Sequence, residues 1–335
     1  MKKNKFYKPL IRRFAALLFI FFVSLSCSMN FSENSRNSEK QRIKILNWNL
    51  QTFFDAEFDG NEYAEFKSAK NGWNIEKYET RLDRLSDVIK ELDADVIIME
   101  ELEKEAQIQD IANKLSGNFD FSKLYNYGLF AKNKESSIGC AVISRLPIGE
   151  ISVHSLDIRT KEKMPAMRPI IQFSLYSKDK SIVFFINHWK SKSGGAENSE
   201  IWRKRQEKLL VRLMENAKSK NKALLACGDF NKDISEFDIC NQKQENVVLH
   251  GARDFKVYSP WILANKTYKT PGSYWYKNDW ERIDHFFAHG EIELTDFCAE
   301  SLGAWTNEQG HPIRYQQWNG KGYSDHLPIS CIVNF

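Results

Sequence analysis

The amino-acid sequence predicts a layered α/β sandwich, and three observations carry that prediction. Apolar runs of strand length recur along the chain, amphipathic segments of helical period fall between some of them, and several runs stop abruptly in Asn, Glu, His or Asp. Strands and helices in this mixture bury their apolar faces by stacking in layers. Polar residues gathered at strand ends, rather than in helix interiors, sit where a rigid core can hold a reactive constellation.

The elements follow in order. Residues 43–49 alternate well enough for a first strand, ending in Asn49, and a polar, aromatic excursion follows to about residue 75. Leu82, Leu85, Val88, Ile89 and Leu92 share one side of a helix over 77–92. Residues 95–99 read as a buried strand running into Glu100-Glu101-Leu102-Glu103, and 106–115 as a second helix. Residues 139–144, 169–175 and 182–187 read as strands, the last leading into His188. A helix over 201–217 turns Trp202, Leu209, Leu210 and Leu213 inward. Residues 224–231 follow, an apolar run that halts at Gly228 and presents Asp229 and Asn231. In extended chain, residues i and i+2 point to the same side. The two polar side chains then converge while Phe230 faces the core, although a turn closed by Asx hydrogen bonds accounts for the same residues. Residues 282–287 and 327–335 close the set of strands.

With 335 residues, 42% of them hydrophobic and 13% aromatic, the composition is that of a globular protein. Residues 1–27 read as an export signal: six basic residues, the apolar run 14–23, then Ser24-Leu25-Ser26-Cys27. Cys27 is the candidate for lipidation, although Leu25 stands two residues before it, where a lipoprotein signal usually carries leucine three before. Plain secretion and a retained N-terminal anchor are the alternatives. Residues 28–42 are polar and read as a flexible tether, and 43–335 as one domain without internal repeats. Six of the 48 Lys and Arg lie in the signal, so 42 remain against 44 Asp and Glu and the formal charge falls from +4 to −2. The basic balance belongs to the signal and is no argument for nucleic-acid binding. Cys140, Cys227 and Cys331 sit in apolar runs and read as buried hydrophobes. Cys240 and Cys298 lie in less regular sequence and could pair in an oxidising compartment.

Six strand-end motifs recur: Trp48-Asn49, Glu100-Glu101, Asn187-His188, Gly228-Asp229-Phe230-Asn231, Arg282-Ile283-Asp284 and Ser324-Asp325-His326. Each alone has a structural explanation, as a cap, a turn or a satisfied core imidazole. Their order resembles the endonuclease/exonuclease/phosphatase superfamily, which includes deoxyribonuclease I, exonuclease III and bacterial sphingomyelinases. The resemblance runs from residue 43 to the C-terminus, and it departs at Glu100, where the family usually has glutamine.

The resemblance implies a deoxyribonuclease I-like four-layer α/β sandwich, two packed and mostly antiparallel sheets flanked by helices. It also implies a Mg²⁺-dependent phosphoesterase, with Mn²⁺ or Ca²⁺ as alternative ions. A hard cation takes oxygen ligands, which points to Glu101 first, assisted by Asn49 and Asp325. Asp229 and Asn231 suit an attacking water, the carboxylate handling its proton and the amide its geometry. His326 would lie against the phosphate with Asp284 holding its other nitrogen, and His188 would stabilise the phosphoryl group or the leaving group. Lys190, Lys192, Arg145 and Arg168 are candidate electrostatic contributors. The aromatic stretch 268–280 is a candidate cleft wall for stacking on bases. Three functions remain open: an exported nuclease acting on nucleic acid, a lipid-headgroup phosphodiesterase such as a sphingomyelinase, and a surface binding module that has lost catalysis. The expected chain is a monomer with no protein partner, tied to a membrane through Cys27 or else secreted.

Overall fold

Two mixed sheets face one another with helices on their outer sides. The computed structural model describes residues 40–67, 72–117, 119–156, 164–240, 246–262 and 271–335. Lys40–Phe335 makes one compact unit. The export signal, Cys27 and residues 28–39 of the tether lie outside the described residues.

In chain order the strands are β1 (Arg42–Phe53), β2 (Val96–Leu102), β3 (Tyr127–Ala131), β4 (Gly139–Ser144), β5 (Ile148–His154), β6 (Ile170–Ser177), β7 (Lys180–His188) and β8 (Ala223–Asp229). Then come β9 (Asp238–Ile239), β10 (Val247–Leu249), β11 (Phe255–Val257), β12 (Tyr274–Tyr276), β13 (Asp279–Glu281), β14 (Asp284–Gly290), β15 (Glu293–Ala299) and β16 (Ile329–Asn334). The helices are α1 (Ile75–Leu92), α2 (Ala106–Ser116) and α3 (Ala196–Lys218). One sheet has the order β15-β16-β1-β2-β4-β3 and the other β14-β8-β7-β6-β5. On the outer side of the first, α1 packs against α2, which rests on β3 and β4; α3 packs against β8. This is the four-layer α/β sandwich the sequence predicts, richer in strand than in helix.

Each helix is the amphipathic segment expected, slightly longer. The stripe Leu82, Leu85, Val88, Ile89 and Leu92 is buried in α1. Asn74 caps that helix by accepting from Lys77 N–H. Strands β3, β5 and β15 carry no clear pattern in the sequence, and for β5 and β15 the reason is visible. The edge strand β5 leaves Ile151 and Val153 half exposed, and β15 bulges at Asp296, which has φ 52°. A bulge breaks the two-residue period on which strand recognition depends. Cys140, Cys227 and Cys331 are buried as expected, and Cys240 and Cys298 are thiols in the structure rather than a disulfide.

Among the described residues, only two neighbouring pairs in the large sheets run parallel, β1 with β2 and β7 with β8. A parallel pair ends both strands on the same edge. Asn49 is therefore level with Glu100, and His188 with Asp229. The antiparallel β14 begins where β8 ends, setting Asp284 opposite Asp229. Because β1 and β2 lie over β8, both edges meet at one end of the sandwich.

Next to that end, His285 is fully buried among Phe230, Phe237 and Phe287. Its Nε2–H donates to Lys232 O at 2.8 Å. Burial outweighs that bond and lowers its pKa to about 4. A histidine that is neutral when folded and ordinary when unfolded stabilises the fold above its unfolded pKa of about 6.5 and loses that contribution as pH falls toward 4. Chemical denaturation should therefore show stability dropping between pH 6.5 and 4, with a shallower slope in His285→Leu. An identical slope in both proteins would refute this account.

Candidate active site

Seven of the eight residues singled out in the sequence form one connected cluster at this end. Asp229 is its hub. Its Oδ2 accepts from Asn49 Nδ2 and Asn231 Nδ2, each at 3.0 Å, and its Oδ1 accepts from Asn231 N–H at 2.8 Å. His188 Nε2 lies 3.6 Å from Asp229 Oδ2 and 3.7 Å from Glu101 Oε1. Asn49 Nδ2 also approaches Glu101 Oε1 at 3.4 Å. His326 Nδ1–H donates to Asp284 Oδ2 at 2.9 Å. The eighth, Asp325, is at the rim, with His326 Nε2 at 4.0 Å and Arg314 Nε at 3.8 Å.

The local backbone explains how these side chains converge. Gly228 has φ 133°, and a Cβ there would come within 1.8 Å of Asn187 O, so β8 can run level with β7 at this point only as glycine. Asp229 and Asn231 meet by a different route from strand alternation. The strand ends at Asp229, Asn231 is left-handed at φ 48°, and the Asn231 N–H bond to Asp229 Oδ1 is an Asx turn. The turn and the site are the same structure. Phe230 between them is fully buried, packed on Trp189 and His285.

Glu101 is set by strain on the opposite strand. It has φ 70°, and facing it Gln51 and Thr52 have φ 52° and 54°. Such residues each cost about 1–3 kcal/mol and persist where their surroundings hold them. Here the holder is Arg81 of α1, 2% exposed, whose guanidinium bonds the carbonyls of Leu50, Gln51 and Thr52 and lies 3.7 Å from the Tyr315 ring centre. The fixed Thr52 N–H then donates to Glu101 Oε2 at 2.5 Å.

The charges divide the cluster into roles. Burial and then Asp284 raise Asp229, while His326 and the N–H donors pull it back, leaving its pKa near 7. For His326 burial disfavours the charged form, but Asp284, backed by Asp229 and Asp325, prevails and lifts its pKa to about 10. His188 is pushed well below the usual imidazole range by burial and then by Arg168. The site thus pairs a neutral imidazole with a charged one. Glu100 is fully buried with neither carboxylate oxygen hydrogen-bonded, and burial followed by Asp284 and Asp229 holds it well above the carboxylate range.

The other sequence candidates sort by position. Arg168 donates to Trp189 O and bears on both His188 and Glu101. Lys190 lies close to Arg168 and Arg203, which lower its pKa after burial. Lys192 is engaged by Glu236 at 2.8 Å and Glu281 at 3.0 Å. Arg145 is remote: it follows β4, whose first residues lie beside Glu100 and whose last, Ser144, pairs with Val96 at the far end of β2. There it binds Asp93 and Asp95. Of the aromatic stretch, residues 268–270 lie outside the described residues, and Tyr274 sits 4.6 Å from the His326 ring. Three supporting groups escaped sequence reasoning. Ser273 Oγ donates to Asp284 Oδ2 at 2.6 Å, Trp48 Nε1 to His326 O at 2.9 Å, and Ser324 Oγ to Asn49 O at 2.6 Å. Only Trp48 and Ser324, as members of their motifs, left any signal.

The donors fit a hard cation. Glu101 is raised by burial and then by Asp325, a repulsion between two oxygen-donor acids that a bound cation would relieve. Asp229, Asp284 and His326 also bring ligand-type atoms within 4.8 Å of one another, but the charged imidazole of His326 already serves those acids. Asn49 holds carboxylates through its Nδ2, and its Oδ1, which accepts from Gln51 N–H at 2.9 Å, keeps a second lone pair with which it could assist an ion. Glu101 and Asp325 are the residues that would hold the metal.

Comparison with known proteins agrees with this architecture. The model of the Endonuclease/Exonuclease/phosphatase family matches residues 71–326. The chain belongs to that family, a class of phosphoesterases that generally use a divalent metal. Among solved structures, TDP2 from Caenorhabditis elegans aligns with a TM-score of 0.57 at 15% identity, covering 88% of this chain and 74% of that one. An endonuclease/exonuclease/phosphatase family protein from Bacteroides thetaiotaomicron aligns at 0.53 and 17% identity, covering 89% and 99%. D. rerio TDP2 complexed with single-strand DNA product aligns at 0.54 and 15%, covering 88% and 99%. These likenesses establish a shared fold. No curated protein matches the sequence.

Glu100 gives a direct test of the electrostatics. A carboxyl whose folded pKa is raised stabilises the fold at low pH relative to high pH, because only the unfolded chain releases its proton above about 4.5. Glu100→Gln keeps the shape and removes the proton. Denaturant melts should find Glu100→Gln more stable than the unsubstituted chain at pH 8, with the gap closing at pH 4. A variant less stable at pH 8 would refute the assignment of a neutral Glu100.

Proposed function

We propose that this protein is an exported, Mg²⁺-dependent nuclease that cuts phosphodiester bonds in DNA or RNA. One observation carries the reading: a carboxylate with pKa near 7, oriented by two amides, stands in the same cluster as an imidazolium clamped by a buried aspartate. A general base works best with a pKa close to the ambient pH. Asp229 takes the proton of the attacking water, and Asn231 and Asn49 fix which carboxylate lone pair faces it. His326, charged through Asp284, lies against the non-bridging phosphate oxygens. His188 is neutral and donates an N–H to the phosphoryl or leaving oxygen. A Mg²⁺ bound by Glu101 and Asp325 would neutralise phosphate charge and support the departing oxygen.

Nucleic acid is favoured as substrate by two features. The hairpin β12–β13 beside His326 carries the stacked rings of Tyr274 and Tyr276, the latter 47% exposed, a surface suited to bases. A neighbour of the same fold, D. rerio TDP2, is described with a single-strand DNA product. Export rests on residues 1–27, and the mature surface is anchored through Cys27.

Purified full-length protein with Mg²⁺ should nick plasmid DNA or cleave RNA, and EDTA should abolish the activity. Asp229→Ala and His326→Ala should each lose about 10²–10⁴-fold while remaining folded. Release of headgroup from sphingomyelin or phosphoinositides without nicking would replace the nuclease by a lipid phosphodiesterase; no turnover of any substrate would leave a binding module. Separately, mass spectrometry of the chain from its native membranes should find it beginning at an acylated Cys27. An unmodified Cys27 would overturn the anchor.

A further inference from the structure

We propose a second cation site, selective for Ca²⁺, in the loop that follows β1 and independent of the hydrolytic centre. Residues 55–62 read Asp-Ala-Glu-Phe-Asp-Gly-Asn-Glu, and the loop folds its acids toward the end of β2. Asp59, Glu62 and Glu103 each bring a carboxylate oxygen within 4.8 Å of the other two. Two of these acids are not surface groups: Glu62 is 3% and Glu103 0% exposed. Glu103 Oε2 accepts from Asp55 N–H at 2.9 Å, whereas Glu103 Oε1 is buried without a hydrogen-bond partner. A buried, unsatisfied carboxylate oxygen is costly, and a cation beside it removes the cost.

The one nearby basic group does not do so. Lys104 Nζ reaches Asp55 at 3.0 Å, Glu57 at 3.4 Å and Asp59 at 3.5 Å. Among the described residues, no basic side chain forms an ion pair with Glu62 or Glu103. Five acidic side chains therefore crowd one ammonium. The donor set selects the ion. It holds oxygen and neither imidazole nor thiolate, which disfavours zinc. Mg²⁺ is usually held by one or two carboxylates and keeps several waters, while Ca²⁺ accepts six to eight oxygens in flexible geometry. The loop backbone supports that crowding: Gly60, at φ 92°, lets two successive N–H groups, Asp59 at 2.5 Å and Gly60 at 2.9 Å, bind the Glu62 carboxylate.

The two sites use different acids, for Thr52 N–H holds Glu101 and Asp55 N–H holds Glu103. A cation here would tie the segment after Asn49 to the segment after Glu101.

The test uses full-length protein carrying Glu101→Gln and Asp229→Asn, which disables the hydrolytic centre and leaves the loop intact. Calorimetry should find one Ca²⁺ bound, with a higher melting temperature in Ca²⁺ than in EDTA. Tb³⁺ in place of Ca²⁺ should luminesce on tryptophan excitation, because the Trp73 indole donates to Asp55 O beside the loop. Adding Asp59→Asn and Glu62→Gln should weaken Ca²⁺ roughly a hundredfold, as expected when ligand charge is removed. Adding Lys104→Met instead should tighten it by removing the internal competitor. Absence of Ca²⁺ binding in the centre-disabled protein overturns the proposal. So does an unchanged affinity in the loop variant or, if that variant does not fold, in Lys104→Met.

Discussion

The structure depends on keeping several carboxyl groups buried together between two sheets. Glu100, Asp229 and Asp284 are each at most 2% exposed, and Glu101 joins them at the strand ends. In an apolar core each such charge costs several kcal/mol unless it is paired or neutralised. The protein meets the demand in three ways. Glu100 and Asp229 are driven toward their neutral forms. His326 is driven toward its charged form. Amide and backbone donors from Asn49, Asn231 and Thr52 bind the carboxylates of Asp229 and Glu101. These responses leave a group able to accept a proton next to a cationic one able to stabilise negative charge, which is what hydrolysis of a phosphate ester requires.

That concentration of charge is possible because of backbone geometry rather than side-chain length. Parallel pairs at the centre of each sheet deliver two strand ends to the same edge, and the antiparallel β14 adds its first residue there. The left-handed residues Glu101, Gln51, Thr52 and Asn231 all fall within a few positions of this edge. Four such residues gathered at one end, set against scattered ones such as Glu150 and Asp296 in the bulges of edge strands, mark a site whose geometry has been specified against local preference. Arg81 makes the strain tolerable by bonding the three consecutive carbonyls of Leu50, Gln51 and Thr52.

Much of this was legible in the sequence, and the failures have physical causes. Buried strands such as β4 and β7, and the stripe of α1, announce themselves because burial fixes an apolar period. The edge strand β5 and the bulged β15 do not, since exposure and left-handed Asp296 erase that period. The site was legible as residue types at strand ends, but the manner of convergence was not. Alternation along an extended strand would bring Asp229 and Asn231 together, yet a turn performs the task, and the alternative first set against a functional role turns out to be its instrument. Arg145 shows the converse, a basic residue in a suggestive motif that the antiparallel direction of β4 carries to the far end of the sheet. Ser273 was invisible because its partner, Asp284, is near in sequence but joined to it only through the fold.

Ser273 also ties the aromatic hairpin to the reactive cluster. Its hydroxyl shares Asp284 Oδ2 with His326, its carbonyl accepts from Leu327 N–H at 2.6 Å, and the next residue, Tyr274, forms a backbone bridge with His326. The hairpin that carries the rings of Tyr274 and Tyr276 is thus bonded on both sides to the Asp284–His326 pair. A shift of the hairpin on binding would be felt at the Asp284–His326 hydrogen bond, the interaction that keeps the imidazole charged. If the hairpin meets substrate as proposed, substrate contact and charge stabilisation would be set by one stretch of backbone, and changes in this hairpin would act on the chemistry as well.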